Sequence, residues 1–129
     1  MDRLIDLALG AGFSVDFLPL HGHSGLLLPG NHILIDSRKS AMTQRVALAH
    51  ELGHIHHGHD WRYPHDRQRD EYQADVFAAS LLISSRDYAV AEVMFDTPAA
   101  IASELGVPLR ILKLWCERYT PTLTELYSH

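Results

Sequence analysis

Gln44-Arg45-Val46-Ala47-Leu48-Ala49-His50-Glu51-Leu52-Gly53-His54 is the stretch from which the rest of the chain is read. From Ala41 to about His57 the apolar spacing is helical, and Ser40 is placed to cap the N-terminus. At about 100° per residue, His50 and His54 lie about 40° apart and direct two imidazoles at one point. Leu48, Leu52, Ile55 and Ala41 fall on the opposite side and are expected to face the core. Glu51 sits about 100° round from His50, where it reaches a water beside an ion and not the ion itself. In this H-E-x-x-H order, two histidines hold zinc and the glutamate acts as a general base. With ten histidines among 129 residues, the accidental expectation for the pattern is about 0.03. The spacing is therefore information and not a by-product of composition.

Two histidines leave a catalytic zinc one protein ligand short. Four residues compete for that place: Glu71, Glu92, Asp60 and His57. Glu71 and Asp75 share one face of a second helical stretch with Ala78 and Leu82. Acids on a face that continues into apolar residues need a partner. An ion would partner Glu71, and the free nitrogen of a liganding imidazole would partner Asp75. Ala74 and Ala78 would let the two helices approach closely. Glu92 heads a second E-x-x-x-D ending at Asp96, whose blander use is at the Thr97-Pro98 helix start. Asp60 follows the first helix directly, and His57 shares its metal face one turn on. His56 and His59 read as solvated helix-end and loop residues, and His21, His23 and His65 as surface residues. Tyr63 and Tyr72 offer hydroxyls to a transition-state oxyanion, although a tyrosine more commonly buries its ring and wets its OH.

Ahead of these helices, the spacing predicts a helix ending at Gly10–Gly12 and a short strand over Val15–Leu18. A hairpin of Leu26–Leu28 and His32–Ile35 is expected around Pro29-Gly30-Asn31. Helices are predicted from about Arg67 to Ile83, from Ser84-Ser85 to about Phe95, from Pro98 to Gly106 and from Pro108 to Tyr119. Strands first and helices after imply one α+β domain over residues 1–129: a small antiparallel sheet packed on a helical bundle that carries the H-E-x-x-H helix.

Eleven basic against sixteen acidic residues give −5, the wrong sign for a protein whose main partner is nucleic acid. The last two helices have the outline of a helix-turn-helix. Arg110, Lys113 and Arg118 are nevertheless offset by Glu104, Glu117 and Glu125, so packing is the better reading. Cys116 is the only cysteine, the N-terminus lacks an apolar leader, and no run is long enough to span a membrane. A cytoplasmic protein is expected.

The opening stretch, together with Asp70-Glu71-Tyr72-Gln73-Ala74-Asp75-Val76-Phe77-Ala78-Ala79-Ser80-Leu81-Leu82 and the strand ending Ile33-Leu34-Ile35-Asp36, resembles the ImmA/IrrE family of small metallopeptidases. The resemblance covers about residues 25–115, and Ser84-Ser85 stands where that family commonly has a proline. It implies a gluzincin-like zincin with His50, His54 and Glu71 on the metal (zinc, or manganese) and Glu51 as the catalytic residue. It further implies a helix-turn-helix repressor of a phage, mobile element or stress regulon as substrate. The alternative within the same fold is a regulator that binds a repressor or antitoxin without cutting it.

Overall fold

A computed structural model describes residues 1–59 and 66–119. Asp60, Tyr63 and His65 lie outside the described residues. The elements follow the order α1 (Asp2–Gly10), β1 (Ser14–Leu18), β2 (Gly25–Leu28), β3 (His32–Asp36), α2 (Ala41–His57), α3 (Arg67–Leu82), α4 (Ser85–Met94), α5 (Pro98–Leu105) and α6 (Leu109–Tyr119). None of the described helices is long and apolar enough to cross a membrane.

Helix starts are set by side chains that satisfy the first free N–H groups. Ser40 accepts from Thr43 N, Asp66 from Arg69 N, Ser84 from Asp87 N and Thr97 from Ala100 N, at 3.0–3.2 Å. Helix α2 stops at Gly58, whose φ of 68° turns the chain back.

The fold is α+β, but the sheet is mixed and not wholly antiparallel. β2 and β3 form the expected hairpin, with Leu28 opposite His32 and Gly25 opposite Ile35. Its turn carries two successive left-handed residues, Gly30 at φ 83° and Asn31 at φ 58°. β1 joins the other side of β3 in parallel, giving the order β1-β3-β2. Burial explains this order. β3 contributes Ile33 and Ile35, both fully buried, whereas β1 is exposed at four of its five positions. The strand with most to bury takes the centre, and the chain after β1 leaves a slot that β3 fills.

Two apolar cores meet along α2 and α3. One joins Leu4 and Ala8 of α1 with Ile33, Ile35, Leu48, Leu52 and Ala78. The other gathers Val46, Ala79 and Ile83 with Ile101, Ile111, Leu112 and Trp115. Helices α5 and α6 thus spend their apolar faces on the interior. Ile55 is half-buried against the first core, whereas Ala41, in the first turn of α2, is exposed.

The most extensive contact between elements is α2 against α3. Ala74 and Ala78 are fully buried there, as their size suggests. The opposing residue is Gly53, between the two histidines of the motif. A Cβ at Gly53 would lie 2.6 Å from the Ala74 carbonyl oxygen and 2.7 Å from Ala74 Cα. Replacing Gly by Ala in a helix gains about 1 kcal/mol of propensity. Overpacking against backbone, which cannot rotate away, costs about 1–3 kcal/mol or more. The clash therefore wins, and Gly53→Ala is expected to lower the urea midpoint of the metal-free protein. An unchanged or raised midpoint would contradict backbone contact at this point.

Candidate metal centre

His50 and His54 project from one face of α2 into a cleft, and Glu71 meets them from the first turns of α3. His50 Nε2 lies 2.8 Å from Glu71 Oε2, His54 Nε2 lies 3.2 Å from Glu71 Oε1, and the two Nε2 atoms are 3.0 Å apart. These three side chains form the one group of potential metal ligands among the described residues. Of the other candidates for the third ligand, Glu92 is exposed on α4 and His57 is exposed at the end of α2. Asp60 is outside the described residues.

Outer partners fix which ring nitrogens face inward. His50 Nδ1 donates to Asp75 Oδ1 at 2.8 Å, which leaves a lone pair on Nε2. His54 Nδ1 is 2.9 Å from the Nδ1 of His59, a residue that sequence places in solvent. His59 is instead largely covered and also contacts Gln73 and Asp70 of α3. The only sign of this in the sequence is its place directly after Gly58, which turns the chain at the helix end. His56 is exposed, with its ring stacked on Phe77 at 4.3 Å.

Two imidazole nitrogens and a carboxylate within 3.2 Å of one another converge on a single point, an arrangement of donors that a divalent cation would satisfy. The separations are within about half an ångström of the ~3.3 Å that tetrahedral geometry at 2.0–2.1 Å bond lengths gives. The donor set therefore fits a divalent metal of the zinc kind.

Residues 9–114 match the family model described as the IrrE N-terminal-like domain, a peptidase family. The chain belongs to that family. No curated protein matches it as a relative. Membership implies a metallopeptidase domain, and the cluster on α2 and α3 is the feature of this chain that suits it.

The cleft opens on both sides of the cluster. One cavity, of about 440 Å³, reaches towards Thr43 and Arg110. The other, of about 510 Å³, runs along Leu26–Pro29. Glu51, His54, Glu71, His23 and Gly25 border both. His23 is exposed at the rim, and Tyr72 is exposed on α3. Arg110, which sequence marks only as one charge in a balanced helix, sits beside Asp75 with Nη1 3.4 Å from Oδ2.

Charges in the cluster are tuned against one another. Burial disfavours the charged form of His50, but the hydrogen bond and charge of Asp75, with Glu71 and Glu51, outweigh it and raise the imidazole above its usual range. Burial likewise opposes ionised Asp75, yet His50 and Arg110 hold it below the usual carboxylate range. His54 is lowered by burial and by the neighbouring His50. Glu51 is 7% exposed, and burial, aided by Glu71 against the opposing pull of His50, pushes its carboxyl up to about 7.

That shift has a cost in the metal-free protein. Between pH 4.5 and about 7 the folded state keeps a proton on Glu51 that the unfolded chain has lost. Stability from this group is therefore greatest below that window and falls as pH rises through it, by at most about 3 kcal/mol. Glu51→Gln removes the charge. In chelator-treated protein it is expected to match wild type in urea at pH 4.5 and to exceed it at pH 8 by about 1–3 kcal/mol. Equal midpoints at pH 8 would mean that Glu51 is not desolvated.

Proposed function

We propose that the protein is a zinc-dependent metalloendopeptidase that cuts a helix-turn-helix repressor, with His50, His54 and Glu71 as metal ligands, Asp75 orienting His50, and Glu51 as the catalytic residue. The observation that carries this reading is Glu51 itself: a buried carboxyl pushed up to about 7, bordering both arms of the cleft beside the cluster. A protein that only binds its partner has no use for a carboxylate that is costly to bury there. When bound, zinc (or manganese) supplies Lewis acidity to the scissile carbonyl and to water. Glu51 takes the proton of the attacking water and delivers it to the leaving amine nitrogen, a task suited to a carboxyl buried beside the cluster and open to both arms of the cleft.

Substrate orientation falls to β2. It is one of the two outer strands of the sheet, and among the described residues no strand pairs with its free edge. Gly25 brings that edge close over the site: a Cβ there would lie 3.4 Å from Glu51 Cγ. An extended segment pairing along Gly25–Leu28 passes the cluster on its way between the two cavities. Such binding admits unfolded or linker segments and excludes intact helices. The charge of −5 favours encounter with a protein that is basic on its DNA-binding face. A cytoplasmic setting, where such repressors act, goes with this reading.

Incubation of zinc-loaded protein with repressors encoded beside its gene, followed by intact-mass measurement, tests the proposal. Cleavage at one or a few bonds is expected, with little action on casein. Glu51→Gln should retain metal while losing at least about 100-fold in rate, the contribution of a positioned general base. Glu71→Gln should lose both metal and cleavage. Metal-dependent capture of repressor without any cut would favour the binding regulator instead. Indiscriminate digestion of unrelated proteins would remove the repressor as the particular substrate.

A further inference from the structure

We propose that His59 is a positioning residue: its Nδ1 accepts a hydrogen bond from His54 Nδ1 and so holds His54 in the tautomer and orientation that turn Nε2 towards the cation. The inference rests on the metal-centre reading above and extends it to a residue outside the ligand set.

The argument starts with the backbone. Gly58, at φ 68°, reverses the chain at the end of α2, and His59 N then donates to His54 O at 2.9 Å. The same turn brings the two rings into edge contact, with centroids 5.1 Å apart and Nδ1 atoms 2.9 Å apart. Two facing ring nitrogens at that distance share one hydrogen, so one donates and the other accepts.

The far side of His59 decides which. Its Nε2 faces Gln73 Oε1 at 2.8 Å and Asp70 Oδ1 at 3.3 Å, both acceptors on α3. The Asp70 carboxylate can only accept, and its buried Oδ1 has no other hydrogen-bond partner, so the hydrogen is assigned to Nε2 with the Gln73 oxygen turned towards it. A neutral imidazole protonated at Nε2 has its lone pair on Nδ1, so the shared hydrogen belongs to His54 Nδ1. His54 Nε2 is then left with a lone pair, directed at the point where His50 Nε2 and Glu71 Oε1 converge.

Both liganding rings are thus set by an acceptor on their outer nitrogen, of different chemistry in each case. His50 is held by the carboxylate Asp75, and His54 by a second imidazole that is itself oriented from α3. Without His59 the His54 ring is free to flip or to carry its hydrogen on Nε2, and it loses its place on the ion.

The relay can be read directly and by substitution. In protein labelled with ¹⁵N-histidine, ring-nitrogen NMR of both zinc-free and zinc-loaded wild type should show hydrogen on Nδ1 of His54 and on Nε2 of His59. Zinc affinity, measured by competition with a chromophoric chelator, should fall about 10–100-fold in His59→Phe, which keeps a ring and removes the acceptor. His59→Asn, whose Oδ1 takes the place of Nδ1, should stay within about threefold of wild type. Hydrogen on Nδ1 of His59 would overturn the proposal. So would unchanged affinity in His59→Phe, or equal loss in His59→Phe and His59→Asn, which would make the residue a space-filler. A wild type that takes up no zinc would remove the metal-centre reading, and the tautomers of the zinc-free protein would still decide the hydrogen bond.

Discussion

Everything at the cleft depends on how closely α2 and α3 approach. Ligands from two helices converge on one ion only if the backbones are near enough for short side chains to meet, and residues of ordinary size hold helix axes 8–10 Å apart. Here Gly53 faces the backbone of Ala74 with no room for a Cβ. The contact falls between His50 and His54 on one helix and between Glu71 and Ala78 on the other. That placement makes a cluster with 2.8–3.2 Å separations from residues 17 or more positions apart. Ala78 and Ala79 continue the close contact into the two cores, so apolar burial on both sides of the helix pair clamps the polar cluster at its open end.

The cluster opposes the fold that holds it. Glu51 is buried and is pushed up to about 7 despite the pull of His50. The Nε2 atoms of His50 and His54 and the Glu71 carboxylate crowd together beside it. The buried carboxyl destabilises the metal-free chain once it ionises, and a divalent cation held by the cluster would relieve it, so metal affinity would be linked to fold stability. The contacts of His50 with Asp75 and of His54 with His59 would serve the same end, because a ring already fixed loses less freedom if it coordinates.

Sheet topology contributes access. By taking the central position β3 anchors Ile33 and Ile35 in the core and leaves β2 as the outer strand above Glu51. Helix α6 closes the far wall, where Arg110 reaches Asp75. The C-terminal helices that outline a helix-turn-helix in the sequence act as a buttress behind α3, with Ile111, Leu112 and Trp115 turned inward.

Local rules were enough to locate the helices and the pair of histidines on one face of α2. Ser40, Ser84 and Thr97 cap helices within the chain, and 3.6-residue periodicity puts His50 and His54 on one side of α2 wherever that helix is packed. Pairing Asp75 with a liganding imidazole was also legible, since an acid on a face that runs into alanines needs a partner. Spacing did not separate Glu71 from Glu92, because both head an E-x-x-x-D; the packing of α3 and not α4 against α2 is what brings Glu71 and not Glu92 beside the two histidines. The parallel pairing of β1, the approach at Gly53 and the covering of His59 were likewise set by tertiary structure. A strand's own sequence does not state which neighbour lies on each side, a glycine inside a helix gives no sign of what it faces, and a histidine after a helix reads as solvated until another helix closes over it. Periodicity and capping are properties of a few adjacent residues and are written in the chain, whereas the meeting of distant segments depends on how all the apolar faces are buried at once.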